Sequence, residues 1–221
     1  MNEKLYTTSG VIAILKFNDF DEEFVALVKR TKDAKNSPDT HSGFFGHADP
    51  EDNNNPFVTA SREFAEELLF AYHNKVYSFY INDVTDKTVQ NKVEELFEQW
   101  KSRRDFSENL EFQNLTEISD ELDFNDGREL RKIFLLPIKL DCTIDDLTLL
   151  DCEDFNGKIL DRQVDVFKFK ELRDWWHSDR GSLKAVASYK TGQKVELANI
   201  DRAKISSTLN HALNCSKLFT N

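Results

Sequence analysis

Glu63, Glu66 and Glu67 are the residues of this 221-residue chain whose spacing speaks most directly of chemistry. At i, i+3 and i+4 they project from one side of a helix, and like charges so placed repel. A compensating cation is expected beside them, and a divalent metal is the simplest. Just upstream runs Ser42-Gly43-Phe44-Phe45-Gly46-His47-Ala48-Asp49-Pro50-Glu51-Asp52, a glycine turn leading into an acidic segment. Asn53-Asn54-Asn55-Pro56 then has the composition of a turn. Charge-rich helices are commonly just solvated faces. The glycine turn ahead of this one gives its carboxylates the setting of a site.

The chemistry such a site could do is hydrolysis of a pyrophosphate. That reaction needs charge neutralised on the non-bridging oxygens and a water deprotonated near neutral pH. Mg²⁺ does both, held by carboxylates and substrate oxygens. Carboxylates on one helix face offer a rigid oxygen cluster, and a backbone carbonyl from a glycine turn can complete the shell.

The elements that must position these residues can be read in order. Val11–Phe17 is β-branched and apolar, a strand; residues 18–22 are a polar turn; Phe24–Arg30 is a second strand, forming a hairpin with the first. Residues 31–41 are a loop. The acidic helix is expected from about Phe57–Thr59, with Phe64 and Leu68 facing inward. No glycine or proline stops it near Leu69, so it is expected to run on through Ala71, Tyr72 and His73. Val76–Ile81 reads as a strand. Val89, Val93, Leu96, Phe97 and Trp100 repeat at helical spacing. Residues 101–127 fit neither period. Ile133–Ile138 is a strand that Pro137 places at an edge or at its end. Residues 141–162 are loop-rich, Val164–Phe169 alternates as a strand, and Lys170–Trp176 turns helical. A last helix is expected at about Ile200–Leu218. The class is α+β with a mixed sheet. The organisation is one domain with a helical insertion at about 83–132 and a C-terminal helical extension at about 183–221.

Composition narrows the partners. Lysine and arginine number 29 against 40 acidic residues, a formal charge of −11, which repels polyanions. A small phosphorylated substrate held by a metal remains compatible, because the metal reverses the local field. Eighteen phenylalanines and three tryptophans supply a core. Cys142, Cys152 and Cys215 have no CxxC spacing and read as reduced thiols. The N-terminus resembles no signal peptide, and no run approaches the roughly 20 apolar residues that span a bilayer. A cytoplasmic protein with no membrane partner is expected; a homodimer is compatible with all of this.

Gly46 to Asp52, followed by Arg62-Glu63-Phe64-Ala65-Glu66-Glu67, resembles the Nudix box. The preceding Ala26-Leu27-Val28-Lys29-Arg30 and the later Val166–Leu172 are also similar to Nudix sequences. There are three departures. Nine residues rather than seven separate Asp52 from Arg62, aspartate stands for the first box glutamate, and Leu69 replaces the glycine that ends the helix.

The resemblance implies a Nudix-like α/β/α sandwich and a Mg²⁺-dependent hydrolase, with Mn²⁺ as a substitute ion. It would cleave the diphosphate of a nucleoside diphosphate linked to another moiety. ADP-ribose or a dinucleotide is favoured, the insertion shaping the far half of the pocket. The resemblance implies Glu66, Glu67 and the Gly46 carbonyl as metal ligands. Glu63 would be a ligand or help to activate water, Arg62 would orient it, and Asp52 would contribute more weakly. A later-loop base would come from Asp120, Glu121 or Glu153. Arg30, His47 and Phe45 are the expected substrate contacts, although His47 also reads as a polar loop residue and Phe45 as core. Phe44, Tyr6 and Trp175 stand as stacking or packing residues. Basic residues around Lys101–Arg104 and Arg128–Lys132 keep an RNA cap in play. The alternative implied by the departures is a Nudix-fold module that senses a nucleotide without turning it over.

Overall fold

The computed structural model describes all residues except 1–5, 19, 33, 35–37, 82–86, 103–108, 116–117, 119, 126–129, 152–153, 156–157, 160–161, 179–180 and 216–221. The chain opens with β1 (Tyr6–Phe17), β2 (Glu23–Lys29), β3 (His41–Ser42) and β4 (Phe44–His47). A 3₁₀ turn at Pro50–Asp52 leads into α1 (Pro56–Glu67). Next come β5 (Leu68–Tyr72), β6 (Lys75–Ile81), α2 (Lys87–Ser102), β7 (Leu110–Leu115), β8 (Asp120–Asn125) and β9 (Leu130–Leu140). After β10 (Thr148–Asp151), β11 (Asp154–Phe155) and β12 (Lys158–Ile159) form a two-stranded ribbon. The chain continues with β13 (Gln163–Lys168), α3 (Phe169–Trp176), β14 (Ser182–Lys184), β15 (Ala187–Lys190), β16 (Gln193–Lys194), β17 (Asn199–Asp201) and α4 (Ser207–Asn214).

The main sheet has the order β16-β15-β13-β2-β1-β9-β8, with β3 on β2 and β4 on β1. It is mixed: β1 runs parallel to β9 and antiparallel to β2 and β4. A second sheet has the order β10-β5-β6-β7. This is the α+β architecture with mixed sheets that the sequence predicts.

One face of the main sheet buries Val11, Ala13, Phe44 and Phe134 against Phe64 and Leu68 of α1 and Phe70 and Phe79 of the second sheet. The opposite face buries Ile12, Leu27 and Ile133 under Leu172 and Trp175 of α3 and Leu209 and Leu213 of α4. α1 is thus trapped between the two sheets. Its start is set by Asn55, whose side chain accepts from the Phe57 N–H, with Pro56 at the first helical position.

Three expectations are corrected. α1 does not run on past Leu69: it stops at Glu67, and Leu68–Tyr72 becomes β5, paired with β6 and β10. Sheet partners on both sides outweigh local helical preference there. The insertion at 83–132 is only partly helical, because after α2 it supplies β7 to the second sheet and β8 to the main one. The extension at 183–221 holds four short strands or strand parts before α4, which covers Ser207–Asn214 rather than about 200–218. Pro137 lies opposite Ile14 of β1, two residues past the last pair that β9 makes with β8 among the described residues, Asp120 with Leu135.

Candidate active site

β4 and α1 bring the acidic residues together. β4 is held on β1 with Gly46 opposite Ser9, and the carboxyl group of Glu63 lies where a Cβ of Gly46 would be. Any side chain at 46 would meet it, which gives this glycine a steric reason unrelated to turn conformation.

Arg62 is the hub. Its Nε donates to Asp52 Oδ1 at 3.1 Å and its Nη2 to Asp52 Oδ2 at 2.9 Å, a bidentate clamp. Nη2 also donates to the His47 carbonyl at 3.0 Å, and Nη1 to Glu63 Oε1 at 2.8 Å. Glu66 Oε2 lies 3.7 Å from the same Nη1, so Glu63 and Glu66 converge on one guanidinium nitrogen. Asp52 is itself fixed by the Thr59 hydroxyl at 2.8 Å and the Asp49 N–H at 2.9 Å. Burial works against its charge but is outweighed by these donors and Arg62, and its carboxyl is held below the usual range. Asp52 therefore anchors the arginine, and the arginine in turn fixes Glu63.

Burial pushes the Glu63 carboxyl up to about 7, with Arg62 opposing and Glu66 adding to the rise. Glu66 makes a second ion pair, 2.7 Å from Lys92 Nζ of α2. Glu67 behaves differently. Its Oε1 lies 3.3 Å from Nη2 of the buried Arg162, which clamps Asp151 through Nε at 2.9 Å and Nη2 at 2.8 Å. The three glutamates share a helix face, yet Glu67 is turned to this second arginine.

Among the described residues, no group of three or more histidine, cysteine, aspartate or glutamate side chains is gathered as a metal cage. The donors that converge are hard carboxylate oxygens, the ligand chemistry of Mg²⁺. Glu63 and Glu66 fit such an ion, beside a glycine whose bare backbone lets the carboxylate approach. Glu67 reaches that centre only by leaving Arg162.

The other expected site residues are dispersed. Phe45 alternates with Gly46 and lies on the opposite face of the sheet, packed with the cluster under α3 and α4; its ring covers Gly10 and Gly43. Phe45, expected as a substrate contact, thus sits in a different layer from Gly46 and Glu63. Phe44 is fully buried against Phe64, and Trp175 is buried as well. The His47 side chain is exposed, and its carbonyl rather than its ring joins the site through Arg62. Arg30 extends β2 by one residue, its N–H donating to the Thr40 carbonyl at 2.9 Å. By alternation with Val28 it faces the α1 side, and its Nε is buried with no hydrogen-bond partner among the described residues. Tyr6 is tied through its N–H to Asn54 at 3.1 Å. Glu121 pairs with Lys132 at the sheet edge, Asp120 begins β8, and Glu153 lies outside the described residues.

Lys92, Arg162 and Asp151 were not anticipated. Arg162 carried one readable signal: it lies two residues before the buried Val164, so the alternation of β13 turns a charge inward. A charge at an inward position calls for a buried partner. Lys92 carried none, being one of several lysines along an amphipathic helix.

No family model matches the chain, and no curated protein matches it. Among solved structures the chain is similar to a Nudix hydrolase from Alicyclobacillus acidocaldarius, at 14% identity over 97% of this chain and 94% of that one, with a TM-score of 0.43. It is also similar to an Ap4A hydrolase of C. elegans, solved as a binary complex, at 11% identity over 77% of this chain and 85% of that one, with a TM-score of 0.36. A MutT/nudix family protein from Enterococcus faecalis matches at 11% identity over 77% of this chain and 54% of that one, with a TM-score of 0.33. Overlaps this loose carry no function across. What the chain can do has to be argued from its own side chains.

Proposed function

We propose that this chain is a Nudix-type hydrolase that requires Mg²⁺ or Mn²⁺ and splits the diphosphate of a nucleoside diphosphate linked to another moiety, with ADP-ribose or a dinucleotide as the favoured substrate. The observation that carries the proposal is the convergence of Glu63 and Glu66 on Arg62 Nη1, at 2.8 and 3.7 Å, with Glu63 seated over Gly46. A bound divalent ion would neutralise phosphate oxygens and lower the pKa of an attacking water. Glu63 and Glu66 would hold it, with the Gly46 carbonyl, and Glu67 would join them on leaving Arg162. Arg62 keeps the Glu63 carboxylate in one orientation. Glu63 would take that ligand position or, instead of it, help to activate the water; without a metal, burial pushes its carboxyl up to about 7. Arg30, on the α1 side with an unmatched buried Nε, offers a charge-assisted hydrogen bond to a substrate phosphate.

The insertion supports a two-part substrate, because α2 borders the carboxylates through Lys92. A capped RNA is less favoured: Lys132 is already paired with Glu121 and Asp123, and the chain carries −11 overall. Arg103, Arg104 and Arg128 lie outside the described residues.

The test is a panel of ADP-ribose, dinucleotides, dinucleoside polyphosphates, nucleoside triphosphates and capped RNA, with and without Mg²⁺, on wild type and Glu66→Gln. Metal-dependent turnover lost in Glu66→Gln is expected. Equal, metal-independent traces for both proteins would end the proposal.

One observation favours a non-catalytic nucleotide sensor: Lys92 and Arg162 already hold Glu66 and Glu67 in ion pairs. Calorimetry with ADP-ribose, followed by product analysis, separates the two. Binding with no product formed after long incubation would select the sensor.

A further inference from the structure

α2 lies in the segment between β6 and β9, yet it delivers a cation to the carboxylates of α1. The helix is docked by Val93, Leu96 and Phe97, which pack with Ala65 and Leu69. Lys92, beside that apolar stripe, places Nζ 2.7 Å from Glu66 Oε2. The two partners are unequally held. The Glu66 side chain is 9% exposed and that of Lys92 47%. Arg62, the other cation near Glu66, is clamped by Asp52 and cannot leave without abandoning a buried carboxylate. Lysine, on a flexible four-carbon stem, can rotate away at little cost.

We propose that Lys92 is a tethered competitor of the metal: its ammonium neutralises Glu66 in the metal-free chain and swings into solvent when a divalent cation coordinates that carboxylate, so that Lys92 sets the metal affinity of the centre. The inference rests on the metal-dependent function proposed above. An ammonium within hydrogen-bond distance of Glu66 Oε2 and a divalent ion on the same oxygen repel, so one must yield. The covalent tether gives the lysine a high effective concentration at Glu66. The exchange needs only side-chain rotation, because the apolar residues of α2 stay buried. The insertion thereby tunes a centre whose ligands all lie elsewhere.

The test is Mn²⁺ binding to the full chain, followed by the electron paramagnetic resonance signal of free Mn²⁺, for wild type, Lys92→Gln, Lys92→Met, Lys92→Arg and Glu66→Gln. Lys92→Gln and Lys92→Met are expected to bind Mn²⁺ about tenfold more tightly than wild type, the size of coupling common between two linked sites. Lys92→Arg should stay close to wild type, and Glu66→Gln should lose binding. The methionine variant keeps the apolar stem, so it reports on charge alone if glutamine disturbs packing. Tightening in both neutral variants, or binding in them where wild type shows none, supports the inference. Unchanged or weaker binding in both overturns it, and the metal centre still stands if wild type binds and Glu66→Gln does not. Absence of binding in wild type and both neutral variants overturns the inference and the metal centre together.

Discussion

The carboxyl group of Glu63 fills the space that a side chain on Gly46 would need. The two residues are 17 positions apart in sequence, and β4 and α1 press them together. The group that would be struck is the tip of a flexible side chain and not backbone, so Gly46→Ala is expected to fold while pushing the carboxylate off Arg62. Melting should change little. Hydrolysis should fall by roughly 10²-fold or more, as for loss of a positioned acid or base. A parallel assay and thermal melt of Gly46→Ala and Glu63→Gln checks this; wild-type turnover in Gly46→Ala would show that the contact is not needed.

Removing Arg62 strands Asp52, which is only 3% exposed. Breaking a buried, hydrogen-bonded pair by deleting one member costs about 3–5 kcal/mol, so urea unfolding of Arg62→Ala should show a loss of that order. Arg62→Lys should recover only part of it, since an ammonium cannot reproduce the bidentate clamp or reach Glu63 and the His47 carbonyl at once. Full recovery by lysine would reduce the hub to a simple charge.

Two carboxylates give metal-free stability opposite slopes with pH. Glu63 is raised from 4.5 to about 7 by burial; its contribution is present below 4.5 and is lost as pH rises towards 7. Asp52 is lowered from 3.8, its donors outweighing burial; its contribution is present above 3.8 and is lost as pH falls through its folded value. Melting temperatures from pH 3 to 8 in a chelator should therefore decline between pH 4.5 and 7 in wild type and less so in Glu63→Gln. They should also decline below pH 3.8 in wild type but not through this group in Asp52→Asn. Superimposable wild-type and Glu63→Gln curves would contradict the buried setting of Glu63.

Arg30→Ala tests the proposed phosphate contact. A charge-assisted hydrogen bond contributes about 1.5–3 kcal/mol, so ADP-ribose should bind roughly tenfold or more weakly, as a rise in KM with kcat retained. The melt should hardly move, because no hydrogen bond to the buried Nε is lost. A fall in kcat with KM unchanged would give Arg30 a different task.

Much of the site could be read from the sequence because its parts are local. Asp52, Arg62, Glu63 and Glu66 fall within 15 residues, and helical spacing alone puts the glutamates on one side. The hairpin of β1 and β2 and the amphipathic α2 were equally plain. What could not be read depends on pairings made over distance. Leu68–Tyr72 is an apolar run that either helix or strand accommodates, and only β6 and β10 decide it. Glu67 meets Arg162 across 95 residues. Phe45 and Gly46 are neighbours in sequence, but the two-residue period of β4 sends them to opposite layers.

That short strand carries a constraint of its own. Glycine is required at 46 by a carboxylate on one side of the sheet, and at 43 by the Val11 carbonyl oxygen together with the Phe45 ring on the other. A library randomised at residues 43–46 and selected first for folding and then for turnover should return glycine at 43 in the first round and at 46 only in the second. The order in which the two glycines become fixed would then record, position by position, where the demands of architecture stop and those of catalysis begin.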